Sequence, residues 1–157
     1  MKARPSAPCV LISLCLTGVR CRYDGQGNGC KGLERLTAHC VPIPVCPEQI
    51  GGLPTPRIPA ERRGSRVVTR DGGDVTEAFC RGAEQTMFLA EQYGARYALL
   101  KSRSPSCGCG RIYDGTFSGR IVPGDGVTAA LLKSNGVSVF DENHIDALIE
   151  AMESDGC

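Results

Sequence analysis

Short apolar runs rich in β-branched residues alternate along the chain with stretches in which apolar positions recur at helical spacing. The runs at 9–14, 41–45, 97–100 and 137–140 predict strands. Pro42 and Pro44 predict a sheet edge or irregular pairing for the second strand, because proline donates no ladder hydrogen bond. Helices are predicted at 31–38, at 75–93, at 127–135 and, after Asp141 as cap, through about 152. This alternation indicates an α/β fold with a mostly parallel sheet and flanking helices.

The helix at 75–93 has the clearest boundaries. Asp74 is predicted to cap it, Glu77 to complete a capping box, and Gly94 to end it in a left-handed conformation. Residues 47–60, which hold four prolines and two glycines, are predicted to form an ordered loop, and residues 101–126 a second long loop. We therefore expect one Rossmann-like domain over residues 1–157, with its core at about 10–153 and long loops around the active site.

Composition narrows the possible classes of function. The chain is 41% hydrophobic, enough for a packed core, and its formal net charge of +1 argues against a nucleic-acid binder, so no stable nucleic-acid complex is expected. No apolar run is long enough to span a bilayer, and the apolar stretch after residue 9 is too short for a signal peptide. We expect a cytoplasmic protein, and the oligomeric state stays open.

Ten cysteines are the unusual feature of this composition. Cys15, Cys46 and Cys107 follow the first, second and third predicted strands, and the carboxyl ends of parallel strands share one edge, so the three thiols can converge. Three thiolates at one edge require a cation, and soft sulfur selects zinc, copper(I) or an iron–sulfur cluster. The chain has no C-x2-C pair of the kind typical of structural zinc. Three scattered cysteines resemble instead a cubane cluster with one iron left open.

The residues beside these cysteines carry further chemistry. Glu48 follows Cys46 closely, where a carboxylate shielded from water can act as a general acid or base, although it could also simply cap the next turn. Basic, aromatic and hydroxyl side chains in the same loops suit an anion or a flat heterocycle, although charged residues are most often just solvated. The candidate substrate-binding residues are Arg22, Tyr23, Asp24, Lys101, Arg103, Ser106 and Arg111.

Seven motifs in these loops resemble the thiouracil desulfurase (TudS) family. They are SLCLTG at 13–18, CRYDG at 21–25, VCPE at 45–48, GGLPTPR at 51–57, DVT at 74–76, KSRSPSCG at 101–108 and YDGTF at 113–117. The resemblance spans roughly 10–140 and departs from the usual first motif only at Leu14 and Thr17. It implies a four-iron four-sulfur (4Fe-4S) cluster on Cys15, Cys46 and Cys107, and catalytic roles for Glu48 and Ser104.

This resemblance predicts a non-redox desulfidase that converts thiouracil or a thiouridine nucleotide to the uracil form and releases hydrogen sulfide. In this hypothesis the thiocarbonyl sulfur binds the open iron, Glu48 activates water, and Ser104 relays a proton or holds the ring. One alternative is a structural or redox-sensing metal protein with zinc in place of the cluster. The other is a cluster-free cysteine sulfurtransferase, which the lack of a His base beside any loop cysteine disfavours. Cys109 stays a competitor of Cys107, and Cys21 also lies near a proposed ligand.

Overall fold

The computed structural model describes residues 7–156; residues 1–6 and Cys157, which the predicted domain includes, lie outside the described residues. In chain order the strands are β1 (Cys9–Ser13), β2 (Val41–Val45), β3 (Ala60–Arg63), β4 (Arg66–Thr69), β5 (Tyr97–Leu100), β6 (Arg111–Tyr113), β7 (Ile121–Pro123) and β8 (Ser138–Asp141). The helices are α1 (Leu33–Thr37), α2 (Pro47–Ile50), α3 (Thr76–Tyr93), α4 (Val127–Ser134) and α5 (Ile145–Asp155), and a 3-10 helix spans Leu14–Thr17.

A four-stranded parallel sheet in the order β2-β1-β5-β8 forms the centre of the fold. All four strands predicted from the sequence are present, and the α/β prediction with a mostly parallel sheet is confirmed. The proline-containing β2 lies at an edge of the sheet, as its missing amide donors require. In the middle of the sheet, Leu11 lies between Ile43 and Ala98.

Each face of the sheet packs on its own layer of helices, because alternate side chains of a strand point to opposite faces. Val10, Ile12 and Leu99 belong to one buried cluster with Leu148 of α5. The other cluster contains residues of β1 and β5 together with residues of α3 and α4: Leu11, Ala98, Leu100, Ala90, Ala129 and Leu132. Cys15 packs in the first cluster and Cys107 in the second, so the two layers meet at the carboxyl edge of the sheet.

The predicted long loops contain additional secondary structure. Pro47–Ile50 is a single helical turn, and the antiparallel hairpin β6-β7 lies within 101–126. A second antiparallel hairpin, β3-β4, begins at Ala60, the last residue of the first predicted loop, and continues to Thr69, where the sequence predicted no element. The prediction of plain loops was therefore wrong in these places. The hairpin strands are only three or four residues long, too short for a pattern of alternating polarity to identify them.

The predicted capping box of α3 and the predicted cap of α5 are wrong. Asp74 accepts a hydrogen bond from the amide of Thr76 at 2.9 Å and pairs with Arg66 at 2.7 Å, while Glu77 pairs with Arg81 at 3.2 Å and does not complete a capping box. Asp141 is the last residue of β8, and α5 begins only at Ile145. The left-handed end of α3 at Gly94 is confirmed, with a φ of 61°. Among residues 7–156, no helix is both long and apolar enough to cross a membrane.

Candidate functional site

Three thiols converge at one cavity beside the carboxyl edge of the sheet. Cys15 lies in the 3-10 helix after β1, Cys46 lies between β2 and α2, and Cys107 lies in the segment after β5. All three line the same cavity, which has a volume of about 830 Å³. The residues of Cys15 and Cys107 are only 8% and 5% exposed, so their sulfurs face the cavity and not the bulk solvent.

Hydrogen bonds and close backbone packing fix the segments that carry these thiols. The Ser13 hydroxyl accepts a hydrogen bond from the amide of Lys101 at 2.9 Å, which joins the ends of β1 and β5. The Ser104 hydroxyl accepts from the amides of Ser106 and Cys107, both at 3.1 Å, and so shapes the turn that presents Cys107. The Cys46 segment is held by contact of α2 with α3, where a Cβ on Gly82 would lie 2.0 Å from the carbonyl oxygen of Pro47.

The electrostatics of the cavity oppose three bare thiolates. Burial, together with the nearby Cys46, raises the pKa of the Cys15 thiol to about 11, although Lys101 and Arg22 act in the opposite direction. Burial also raises the pKa of Cys107 well above its ordinary value, opposed by a hydrogen bond from Ser13. Ligating thiols must be deprotonated, so a positively charged inorganic centre would remove this cost.

The arrangement of donors fits an iron–sulfur cluster better than a single ion. Within the described residues, no group of three or more His, Cys, Asp or Glu side chains is arranged to hold a metal ion. The three thiols nevertheless line one cavity and interact electrostatically with one another. A set made only of cysteine sulfur is the type that iron–sulfur clusters use, and Cys15, Cys46 and Cys107 would hold one here.

A buried ion pair forms the wall of the cavity next to the thiols. Glu48 lies in the first turn of α2, and Arg57 donates to its Oε2 from Nε at 2.7 Å and also from Nη2. The side chains of Glu48 and Arg57 are 13% and 8% exposed. Arg57 also donates to the carbonyl oxygens of Cys21 and Pro54, both at 3.1 Å, so it joins the segments on either side of the carboxylate. Sequence reasoning missed Arg57, although it is the last residue of the GGLPTPR motif.

The two predicted serines have different surroundings. Ser104 lines the cavity, and its hydroxyl oxygen accepts two amide hydrogen bonds, which leaves its own hydrogen available for donation. Ser106 is 1% exposed, and its hydroxyl is hydrogen-bonded to the Thr128 hydroxyl at 2.8 Å. Ser106 also lines the cavity, and its hydroxyl connects the Cys107 segment to Thr128 of α4, so its role in substrate binding stays a prediction.

The charged candidates divide into those at the cavity and those away from it. Arg22, Tyr23, Lys101 and Arg103 line the cavity, whereas Asp24 and Arg111 do not. Asp24 is exposed, accepts from the amide of Gln26 at 3.0 Å and pairs with Arg22 at 3.5 Å, while the Arg111 side chain is exposed on β6. The similar sequences RYDG at 22–25 and RIYDG at 111–115 are therefore not equivalent, because Arg22 lines the cavity and Arg111 does not.

Lys101 has a partner that the sequence did not reveal. Its ammonium contacts Glu142 Oε1 at 2.6 Å, and Glu142 also accepts from the amide and hydroxyl of Ser102 at 2.8 and 2.7 Å. Burial opposes the ionised form, but the hydrogen bonds from Lys101 and Ser102 hold the pKa of Glu142 below its ordinary value. Lys101 therefore lines the cavity as part of an ion pair with Glu142.

Cys21 and Cys109, whose roles the sequence left open, have different surroundings in the structure. Cys21 lines the cavity, and burial together with the neighbouring Cys46 and Cys15 raises its pKa to about 12. Cys109 does not line the cavity; its thiol donates to the carbonyl oxygen of Val139 at 3.6 Å. Of the two cysteines in the loop after β5, Cys107 is thus the one that faces the other thiols. The nine cysteines of residues 7–156 are free of disulfide bonds.

Comparisons with known proteins agree with this architecture. A model of the 2-thiouracil desulfurase family matches residues 10–144. The "Uncharacterized protein YbbK" of Bacillus subtilis (strain 168) is 41% identical over 150 residues, which are 89% of this chain and 99% of that protein. A solved structure described as a 4Fe-4S-dependent thiouracil desulfidase TudS is 48% identical, with a TM-score of 0.89 over 93% of this chain and 98% of that one.

Proposed function

The chain belongs to the 2-thiouracil desulfurase family, and from this membership and the site we propose that it is a 4Fe-4S-dependent thiouracil desulfidase. The reaction adds water across a thiocarbonyl carbon and releases hydrogen sulfide, so that thiouracil or a thiouridine nucleotide becomes the corresponding uracil compound. The carbon–sulfur bond breaks, the carbon gains an oxygen from water, and no oxidant or reductant is consumed.

The single observation that supports this function most strongly is the meeting of two kinds of group at one cavity. Three thiols from separate strands lie on it, and a carboxylate held by a buried arginine lies beside them. Cys15, Cys46 and Cys107 would hold the 4Fe-4S cluster. With three protein ligands, a bound cluster supplies an open iron that acts as a Lewis acid with affinity for soft sulfur.

Glu48 and Ser104 supply the proton chemistry. The Glu48 carboxylate accepts a proton from the water that adds to the carbon of the C–S bond, and the hydrogen bonds from Arg57 orient this carboxylate. The Ser104 hydroxyl, with its oxygen already occupied by two amide donors, donates its hydrogen toward the cavity to hold the ring or relay a proton.

Basic side chains at the cavity suit a substrate that carries a phosphate. Lys101, Arg22 and Arg103 all line it. We therefore include thiouridine monophosphate among the candidate substrates, with Lys101, Arg22, Tyr23 and Arg103 as substrate-binding residues. A cytoplasmic location and the absence of a stable nucleic-acid complex stay predictions.

An anaerobic assay with cluster-loaded protein tests this function. We expect 2-thiouracil, 4-thiouracil or 4-thiouridine monophosphate to yield the uracil product and hydrogen sulfide in equal amounts. Glu48→Gln should lose at least about a hundredfold in turnover because it removes the base, whereas Glu77→Gln, whose side chain is 91% exposed, should match the wild type. No product from any of the three substrates, or full turnover by Glu48→Gln with an intact cluster, would contradict the proposal.

The two alternatives predict different measurements. A structural or redox-sensing zinc protein would contain zinc without labile sulfide. A cluster-free sulfurtransferase would form a persulfide on one cysteine and keep its activity after iron is removed.

A further inference from the structure

Two residues at the cavity have a backbone conformation that side chains other than glycine rarely adopt. Among residues 7–156, the non-glycine residues with positive φ are Arg103, at 65°, and Phe117, at 58°. Both line the cavity. A left-handed conformation is costly for a residue with a Cβ, most of all for a bulky one, and such outliers concentrate at functional sites. Phe117 has no role in the reaction described above.

Phe117 is held in this conformation by a buried carboxylate. Glu61 on β3 is 7% exposed, and its Oε1 accepts hydrogen bonds from the amides of Gly115 at 3.1 Å and Phe117 at 3.0 Å. Arg63 donates from Nε to the carbonyl oxygen of Gly115 at 2.6 Å. A Cβ on Gly115 would lie 2.4 Å from Cγ of Arg63, so this loop packs directly on the β3 strand. The β3-β4 hairpin therefore fixes the position of the Phe117 backbone.

Core packing does not explain the ring of Phe117. It belongs to neither buried cluster of the fold, and it is only partly buried at the cavity. The guanidinium carbon of Arg70, which also lines the cavity, lies 5.7 Å from the ring centroid. An aromatic ring with a neighbouring guanidinium, on the wall of a cavity for a flat heterocycle, is an arrangement that binds such a ligand by stacking.

We propose that Phe117 contacts the pyrimidine ring of the substrate, and that Glu61 is a positioning residue that acts through Phe117. This inference rests on the proposed function and adds a specificity-determining side chain to it. An aromatic stack on a base contributes about 5- to 150-fold in affinity. The protein thus keeps a phenylalanine in an unfavourable backbone conformation because the ring is needed for substrate.

Phe117→Gly separates a binding role from a structural one. Glycine adopts positive φ without cost, so the melting temperature of the variant should be equal to or above that of the wild type. The loss of the ring should raise KM for thiouracil about tenfold, with a much smaller change in kcat and unchanged cluster content. Phe117→Tyr should restore KM, and Phe88→Ala, at a ring that is 53% exposed on α3, should leave it unchanged.

Glu61 is tested through its coupling to Phe117. Glu61→Ala should raise KM in the same way, and the double variant Glu61→Ala, Phe117→Gly should be no worse than Phe117→Gly alone, because both changes remove one interaction. Glu61→Gln keeps an acceptor oxygen and should have a KM close to that of the wild type. An additive double variant would overturn the positioning role.

Equilibrium dialysis of the product uracil gives a readout that does not require turnover. We expect Phe117→Gly to weaken uracil binding about tenfold relative to the wild type. Equal uracil affinity and equal KM in this variant, or a clear fall in its melting temperature, would overturn the inference while leaving the desulfidase function intact. Absence of desulfuration by the wild type would overturn the function, yet the dialysis would still decide whether Phe117 binds the ring.

Discussion

Replacing Arg57 with methionine removes the guanidinium beside Glu48 and keeps an apolar stem. The wild-type guanidinium donates to Glu48 Oε2 from two nitrogens, with the Nε contact at 2.7 Å, and to the carbonyl oxygen of Cys21 at 3.1 Å. Because Glu48 is only 13% exposed, the variant leaves a carboxylate in the protein interior without its counter-charge. Removal of one partner of a buried ion pair costs about 3–5 kcal/mol.

That cost is a large part of the total stability of a domain, which is about 5–15 kcal/mol. For a chain of this size, about 1 kcal/mol corresponds to roughly 2–4 °C, so Arg57→Met should lower the melting temperature by about 6–20 °C. The assay is thermal unfolding of anaerobic, cluster-free protein in reductant, followed by circular dichroism. Cluster-loaded Arg57→Met should also lose most of its turnover, because the catalytic carboxylate is no longer oriented.

Two further variants test whether the loss of stability comes from the broken ion pair or from general damage to the fold. Arg57→Lys keeps the charge without the two-pronged contact and should have an intermediate melting temperature. The double variant Glu48→Gln, Arg57→Met should recover part of the stability, because no charge is left buried alone. A melting temperature of Arg57→Met within about 2 °C of the wild type, together with full turnover, would refute this account of Glu48.

Two other predictions follow from the thiols and the glycines. Burial raises the pKa of Cys15 to about 11 and that of Cys21 to about 12 from the ordinary 9.0, so the folded protein keeps protons that the unfolded chain has released. The free energy of unfolding of the cluster-free protein should therefore be constant below pH 9 and fall as the pH rises toward 11–12, by roughly 1.4 kcal/mol per pH unit for each thiol. Urea unfolding curves measured across this pH range test the prediction, and a free energy of unfolding that does not change with pH would contradict it. Gly82→Ala, whose Cβ would lie 2.0 Å from the Pro47 carbonyl oxygen, should displace α2 and lower the iron content after reconstitution, whereas Gly29→Ala, with nothing within 4 Å, should not.

The central sheet and the meeting of the thiols could be predicted because both depend on simple patterns. Strands buried on two faces are continuous apolar runs, and parallel strands present their carboxyl ends at one edge. Cysteines that follow three such strands are therefore expected near one another at that edge. Proline at β2 likewise indicated the sheet edge that the structure shows.

The rest depended on contacts between distant loops, which local patterns do not reveal. Arg57 contacts Glu48 because the proline-rich segment between them folds back on α2. Glu142 contacts Lys101, which lies 41 residues away in the sequence. The choice between Cys107 and Cys109 followed from the turn that Ser104 stabilises. The capping box failed because Glu77 pairs with Arg81 on its own helix, and the Asp141 cap failed because β8 extends through that residue.

The iron and acid-labile sulfide content of anaerobically reconstituted protein tests the central claim most directly, with Cys15→Ser, Cys46→Ser, Cys107→Ser and Cys109→Ser compared with the wild type. We predict about four irons and four sulfides per chain for the wild type and Cys109→Ser, and a marked loss of both in the other three variants. Zinc without sulfide in the wild type, or a full cluster in Cys107→Ser and none in Cys109→Ser, would contradict the account.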